Sequence, residues 1–476
     1  MKRWILLAGC FSLLAGLILI VVMRPRLQAI EKYQAQLEEA VQEGDFLQQA
    51  QAMENLTLLE AWKTTLAQQS AEAYLLGGDT EAAIRMFDRA ERRGAISAGG
   101  RLAYGDAYLT IDQPEKAILQ WKLAIQSGDM TGYQRLDEYY RGVKDWTSEV
   151  GNLEQWIGAE PMNGYPFLQN AYLQAAGGSE EAPSKLRIAM EKNPDLVSLI
   201  EPVENAILLG SDSAENGYQA VLVGRALGGA GNWDLAELAF RRAIDQAPEY
   251  AEAWAFLSEA RYQQGLDGLP EIQKALEMNP NSVVAQALYA LRLRREGHPK
   301  DALPFLQAVA KMEPNQIAWR EEIGRTLAET GDINAALAEF QAAVDLQPNN
   351  PEVWKELARF CIEYNFEIRG TGLQAARQAL ALQPEDAEAL DLMGWTMFLL
   401  EDTTSAERFL HRSLEADPGY AGASLHLGQV YLNTGQEVEA RQNLTRASRL
   451  ASPGSETKLL ADRLLERYFG ITETSP

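Results

Sequence analysis

Five prolines set a clock in the second half of this chain. Pro280, Pro314, Pro348, Pro384 and Pro418 are separated by 34, 34, 36 and 34 residues. Each closes a stretch rich in Ala, Leu, Glu, Gln and Arg, the residues that lose least on entering a helix. A proline cannot continue such a stretch, because it lacks the N–H and collides with the preceding turn. The same rhythm runs earlier, from Pro161 to Pro194 (33 residues) and from Pro248 to Pro280 (32). A fixed period near 34 residues over hundreds of positions dictates a stack of like units. One helix pair cannot bury its apolar face alone, so neighbours must do it.

The interior of each period repeats as well. Unit 317–350 carries Ile323, Gly324 and Leu327, a turn at Gly331-Asp332, then Ala336, Phe340, Ala343 and Pro348. Unit 421–453 has Leu427-Gly428, Tyr431, Gly435, Ala440, Leu444 and Ala447; unit 387–420 has Met393-Gly394, Ala406 and Pro418. Unit 217–250 has Val223-Gly224, Leu227, Ala236, Phe240, Ala243 and Pro248, and unit 98–131 has Gly105, Tyr108, Ala117, Trp121 and Ala124. Small residues let two helix backbones approach, and large ones fill the space between neighbours. Alternating Val/Ile/Thr stretches are scarce, so almost no strand is expected.

These residues resemble the tetratricopeptide-repeat (TPR) family, whose 34-residue helix pair has small residues at positions 8, 20 and 27 and a terminal proline. Trp254 and Trp354 match its early tryptophan. The resemblance covers roughly 64–453 and implies an all-α, right-handed α-solenoid of stacked helix-turn-helix units. The expected organisation is an anchor at 1–26, a helical spacer at 27–63, and a four-unit block at 64–195. A register break follows at 196–216, then a seven-unit block at 217–453 and a capping helix with tail at 454–476. Unit 132–161 is degenerate: it holds Trp146 and Trp156 but lacks the Gly/Ala pattern.

Trp4 to Met23 is a run of 20 uncharged, mostly apolar residues. At about 1.5 Å per residue it is long enough for the bilayer core. It ends in Arg24-Pro25-Arg26 rather than a cleavage site of small residues, which favours an uncleaved single transmembrane helix over a removed signal. Lys2 and Arg3 precede it; their weight against Arg24 and Arg26 gives a slight preference for a solenoid outside the cytoplasm. Leu7-Ala8-Gly9-Cys10 looks like a lipobox, but the apolar run continues well beyond Cys10. Ile30, Tyr33, Leu37 and Ala40 mark an amphipathic helix over 27–41 that packs on the first repeat or self-associates together with the anchor.

The formal net charge is −24, and −28 once residues 1–26 are set aside. Such a body repels phosphate backbones, so nucleic acid is not an expected partner. Two cysteines, Cys10 and Cys361, make no CxxC site. His298, His411 and His426 have no ligand at metal spacing, and no nucleophile or phosphate-loop motif occurs. Leu227-Gly228-Gly229-Ala230-Gly231 falls at a turn within a repeat. No cofactor, metal or enzymatic activity is expected. Trp121, Trp254, Trp354, Phe240 and Phe340 match packing positions, and Cys361 reads as a small buried thiol.

The resemblance places ligand contacts on the first helices, at positions 2, 5, 9, 12 and 13. In units 283–386 this selects Arg294, Arg295, Arg325, Lys355 and Arg359, a basic strip suited to an acidic peptide or a carboxylate. Glu321, Glu322 and Glu356 share those helices, and the carboxylate-clamp pattern of Lys and Asn is absent. The expected function is a membrane-tethered scaffold that binds a protein or peptide, in the assembly or export of an envelope complex. The alternative is a regulatory, non-catalytic subunit of a membrane enzyme or secretion system.

Overall fold

A computed structural model describes residues 24–211 and 216–471. All regular structure among them is helical. The apolar run Trp4–Met23 lies outside the described residues, as does the terminal tail 472–476. Among the described residues no helix is long and apolar enough to cross a membrane. The chain divides into two compact units, Met1–Arg242 and Ala243–Pro476.

In the first unit, helix α1 (24–43) turns at Gly44 and meets α2 (Phe46–Leu59). The stripe expected on 27–41 faces inward: Ile30, Tyr33 and Leu37 are half-buried and Ala40 is buried. Four helix pairs follow: α3 (Leu66–Leu76) with α4 (Thr80–Arg92), α5 (Ala98–Thr110) with α6 (Pro114–Gln126), α7 (Thr131–Gly142) with α8 (Trp146–Ala159), and α9 (Gly164–Gly177) with α10 (Ala182–Lys192). A 3-10 turn (Pro194–Leu196) leads into α11 (Val197–Ser211), a helix with Pro202 inside it that packs mainly on the helix after it. It occupies most of the segment where the sequence loses register. Then come α12 (Tyr218–Gly229) and α13 (Trp233–Gln246), whose last residues open the second unit.

The second unit continues with α14 (Ala251–Gln263), α15 (Leu269–Met278), α16 (Val283–Arg295), α17 (Pro299–Met312), α18 (Ile317–Glu329) and α19 (Ile333–Leu346). It ends with α20 (Pro351–Glu363), α21 (Leu373–Leu382), α22 (Ala387–Leu399), α23 (Thr403–Ala416), α24 (Ala421–Thr434), α25 (Glu437–Leu450) and α26 (Glu456–Phe469). Helix α26 packs on α25 and closes a small cluster of Leu425, Leu444, Ala447, Ala461 and Leu465. It covers the face that a further pair would otherwise bury.

Eleven pairs share one turn. A residue in the left-handed region ends the first helix of each: Gly78, Asp112, Lys144, Gly178, Gly231, Gly265, Gly297, Gly331, Asn365 (with Glu367 a second one in that connection), Glu401 and Gly435. Glycine adopts that conformation without strain, as at Gly331 (φ 89°), whereas Asp112, Lys144, Asn365 and Glu401 hold it despite a Cβ. The next residue caps the second helix where it is Asp: Asp79, Asp145, Asp332 and Asp402 each accept the N–H three positions on, at 2.9–3.1 Å.

Seven residues before each turn residue, the helices cross. Ten of the eleven positions are Gly, Ala or Ser and buried. The reason is steric. A Cβ on Gly105 would lie 2.4 Å from the Trp121 indole, and one on Gly324 would lie 2.9 Å from the Phe340 ring. Phe340, Trp121 and Phe240 are core residues, as expected. Trp254 and Trp354 are half-buried and pack against the core from its edge, and their indoles donate to the Pro248 and Pro348 carbonyls at 3.0 and 2.8 Å. Their position ties the first helix to the proline turn before it. Cys361 is fully buried, which pushes its thiol up to about 12.

Candidate functional site

Arg294 and Arg295 end α16, Arg325 lies on α18, and Lys355 and Arg359 lie on α20. Arg294 and Arg295 are adjacent, and the others follow at about one repeat or one helix turn, so the solenoid period gathers them along the first helices of the second unit. Their neighbours are carboxylates at the same period. Arg294 pairs with Glu322 and Glu329, 28 and 35 residues on. Arg325 donates to Glu322 and Glu356, both at 3.0 Å. Arg359 pairs with Glu356 and Glu388. Lys355, only 4% exposed, reaches Glu352 at 2.7 Å, Glu388 at 3.0 Å and Asp386 at 3.5 Å. Arg295 grips Glu259 through both carboxylate oxygens (2.8 and 2.9 Å) and lies over the Tyr262 ring.

The predicted residues are thus brought together, as an alternating ladder rather than as a basic strip. Five cations share eight carboxylates: Glu259, Glu321, Glu322, Glu329, Glu352, Glu356, Asp386 and Glu388. Burial and the neighbouring Glu356 hold the Glu321 carboxyl above the usual range. The net local charge is negative, so an acidic ligand would meet more carboxylate than cation.

Beside the ladder lies a cavity of about 220 Å³ between α18 and α20. Phe340, Phe360 and Ala328 form its floor, and Arg325, Arg359, Glu329, Glu356, Glu363 and Tyr364 its rim. The Phe340 and Phe360 ring centroids are 4.9 Å apart. The volume suits one side chain. An apolar stem has an aromatic floor to rest on, and a cationic tip has three carboxylates within the rim.

Two groups of polar residues escaped the sequence reading. One extends the ladder's logic on α22 and α24, where buried Asp391 meets His426 Nδ1 at 2.7 Å and Trp395 stacks on the His426 ring at 4.3 Å. The other lies in the first unit at the degenerate pair. The crossing position of α7 holds Asp137, 1% exposed, and α8 places Glu149, fully buried, nearby. Burial pushes Asp137 up to about 6. Burial and the charge of Asp137 push Glu149 up to about 8. Neither Glu149 oxygen accepts a hydrogen bond, and Arg141 Nε stays 3.9 Å away. Arg141 is committed elsewhere: it donates to Gln169 at 2.6 Å and to both oxygens of Asp234, 93 residues on, at 2.9 Å. Lys144 follows the same path to Glu237 at 2.6 Å. Among the described residues no group of His, Cys, Asp and Glu could hold a metal ion.

A tetratricopeptide-repeat family model matches residues 69–130, 223–282 and 288–351. The middle TPR-like domain of cilia and flagella-associated protein 70 matches 321–451. No curated protein matches. Among solved structures, the APC/C hetero-tetramer Cut9–Hcn1 is 14% identical over 92% of this chain and 96% of that chain, with a TM-score of 0.41. Yeast Tom70 is 16% identical over 78% of this chain and 95% of that chain, at 0.33. MamA 41-end from Desulfovibrio magneticus RS-1 is 22% identical over 35% of this chain and 94% of that chain, at 0.30.

Proposed function

This chain belongs to the tetratricopeptide-repeat family, and from that premise we propose that it is a membrane-tethered scaffold that holds a protein through a peptide segment on its first helices. The observation that carries the reading is the cavity between α18 and α20, set into the ion-pair ladder. Arg325 and Arg359 are held by Glu322, Glu356 and Glu388, so the rim is pre-organised before a ligand arrives. Its charge favours an apolar or cationic anchoring side chain over the acidic peptide that the five cations alone suggest. Arg294, Arg295 and Lys355 extend the wall on either side and fix the spacing between repeats. The segment's backbone lies along the ladder and exchanges internal ion pairs for new ones.

The tether is supported by the 20 uncharged residues Trp4–Met23. A role in assembling a membrane or envelope complex follows from joining that anchor to a ligand-holding array. Photo-cross-linking from position 364, on the rim of the cavity, tests the reading in the full chain. Glu363→Lys should lower partner recovery about tenfold, as expected when a like charge opposes a cationic anchor. Unchanged recovery, with an unchanged thermal melt, would remove the cavity from the proposal. Extraction of the full chain by alkaline carbonate would remove the tether.

A further inference from the structure

The acidic chain has one basic end, and it lies where the apolar run stops. Arg26 is three residues beyond Met23, so it lies within about 10 Å of that residue in any backbone conformation. Its guanidinium donates to the Leu59 carbonyl at 3.0 Å and sits 5.6 Å from the centre of the Trp62 ring. Helix α1 therefore starts beside the end of α2 and the turn that follows it. At the same end, Arg89 donates to the Thr57 hydroxyl and Arg93 to the Thr57 carbonyl, at 3.0 and 3.3 Å. The C-terminus of α4 thus joins the cluster.

Two large apolar side chains there face outward. Trp62 is 64% exposed and Leu58 is 62% exposed. Cations lie on the same segments: Arg24, Lys63 (paired with Glu60) and Arg92 are exposed, and Arg26, Arg89 and Arg93 are half-buried. The carboxylates of the neighbourhood point elsewhere or are already used. Glu60 is buried and paired with Lys63, Glu91 pairs with Arg101, Glu54 accepts from Tyr74, and Asp88 from Tyr104.

We infer that this end, built around Trp62, Leu58, Arg24 and Arg92, rests on the headgroup layer of an anionic bilayer; the inference depends on the tether proposed above. The placement follows from geometry. If residues 4–23 fill the hydrocarbon core, Arg26 lies at headgroup depth and holds Trp62 there. Tryptophan favours that depth because its ring is apolar and its N–H is polar. Arginines within a Debye length of anionic lipid are attracted to it, while the rest of this chain, at −24 overall, is repelled. The surface therefore orients the first repeats on the membrane as well as attaching them. An acidic protein partner has the same charge, but it would have no reason to sit at the exit of the anchor.

The full chain, with Cys10→Ser and Cys361→Ala, is reconstituted into vesicles of phosphatidylcholine and phosphatidylglycerol with a single cysteine introduced at position 61 (Ala61→Cys) and spin-labelled. A second version carries the label at exposed Met278. Collision with a water-soluble nickel chelate should fall about threefold or more at 61 relative to 278, as for a site in the interface. Trp62→Ala with Arg92→Glu should restore access at 61 while the chain still floats with the vesicles. Equal access at both labels in floating vesicles overturns the docking surface and leaves the tether standing. Shielding that appears only after a second protein is added overturns it in favour of a protein partner. A chain that does not float overturns the tether and the docking surface with it.

Discussion

The helix pairs α18/α19 and α7/α8 have one geometry and opposite interiors. In α18/α19 the crossing is Gly324 beneath Phe340, with Ala336 and Ala343 on the facing helix, all buried. In α7/α8 the corresponding positions are Asp137, Leu153, Glu149 and Trp156. Both pairs begin their second helix with a capping Asp, after a residue held in the left-handed region. Turn and cap are therefore enough to set the hairpin. The crossing residues decide how tightly it closes and how it responds to pH. A glycine–phenylalanine crossing gains its stability from burial and close contact. A two-carboxylate crossing keeps its shape only while a proton or Arg141 offsets the charge.

The sharpest way to break this comparison is to remove the apolar filler. Phe340→Ala should cost about 3–5 kcal/mol, and Leu153→Ala about 2–4 kcal/mol. Hydrogen exchange resolved to each helix pair reads both. Equal losses would mean that the Asp137–Glu149 crossing is as well packed as the glycine one.

Next is pH. Glu149 has a folded pKa of about 8 against an ordinary value of 4.5. The folded state therefore binds this proton more tightly than the unfolded chain does. Its contribution is complete below about 4.5, declines as pH rises, and is gone once pH passes about 8. Glu149→Gln should leave stability unchanged at pH 5 and raise it by on the order of 2–3 kcal/mol at pH 8.5. A variant with the wild-type slope would show that Glu149 is not the group that titrates.

A smaller effect separates the two turns. Glu401 holds a φ of 66° and Lys144 one of 58°. Glu401→Gly should stabilise the second unit by about 1 kcal/mol by relieving that conformation. Lys144→Gly relieves the same strain but takes away one of the cations on the nearly buried Glu237, leaving Arg241, so its gain should be smaller than that of Glu401→Gly. The least effect belongs to the ladder's exposed edge. Arg295→Ala should cost about 0.5 kcal/mol or less, and less still in high salt, by chemical denaturation.

How much of this was legible depends on what a residue's position encodes. Gly324, Gly394 and Gly428 announce the crossing because only a small residue fits under Phe340, Leu410 or Leu444. Asp137 and Glu149 announce nothing by type, since a carboxylate is usually at the surface. Counting eight residues back and four forward from the capping Asp145 finds both, the count that finds Gly324 and Ala336 from Asp332. The five cations fall on first helices, as their spacing implies, and Glu321, Glu322 and Glu356 were visible beside them; the pairs that cross from one repeat to the next were not. Arg294–Glu322, Arg325–Glu356 and Arg359–Glu388 span 28, 31 and 29 residues. Those separations are near one repeat, so scanning each helix alone hides them. The cavity at Tyr364 depends on how two first helices splay, which no spacing records. The cluster around Trp62 was hidden for the same reason: Arg26 and Arg93 reach the end of α2 only after three helices fold.

The bond from Arg141 to Asp234 also governs the order of assembly. The ladder's cross-repeat pairs close loops of 28 to 36 residues, and this one closes 93. Tripling a loop adds about 1 kcal/mol of closure entropy, so the clasp gains only after the helices between its ends have already stacked. The first unit should therefore complete its folding here, with α13 the last helix to be protected from exchange in a refolding pulse. The same clasp, doubled by Lys144–Glu237, closes the chain between α7 and α13 into one loop, so the helices within it should gain and lose protection as a unit.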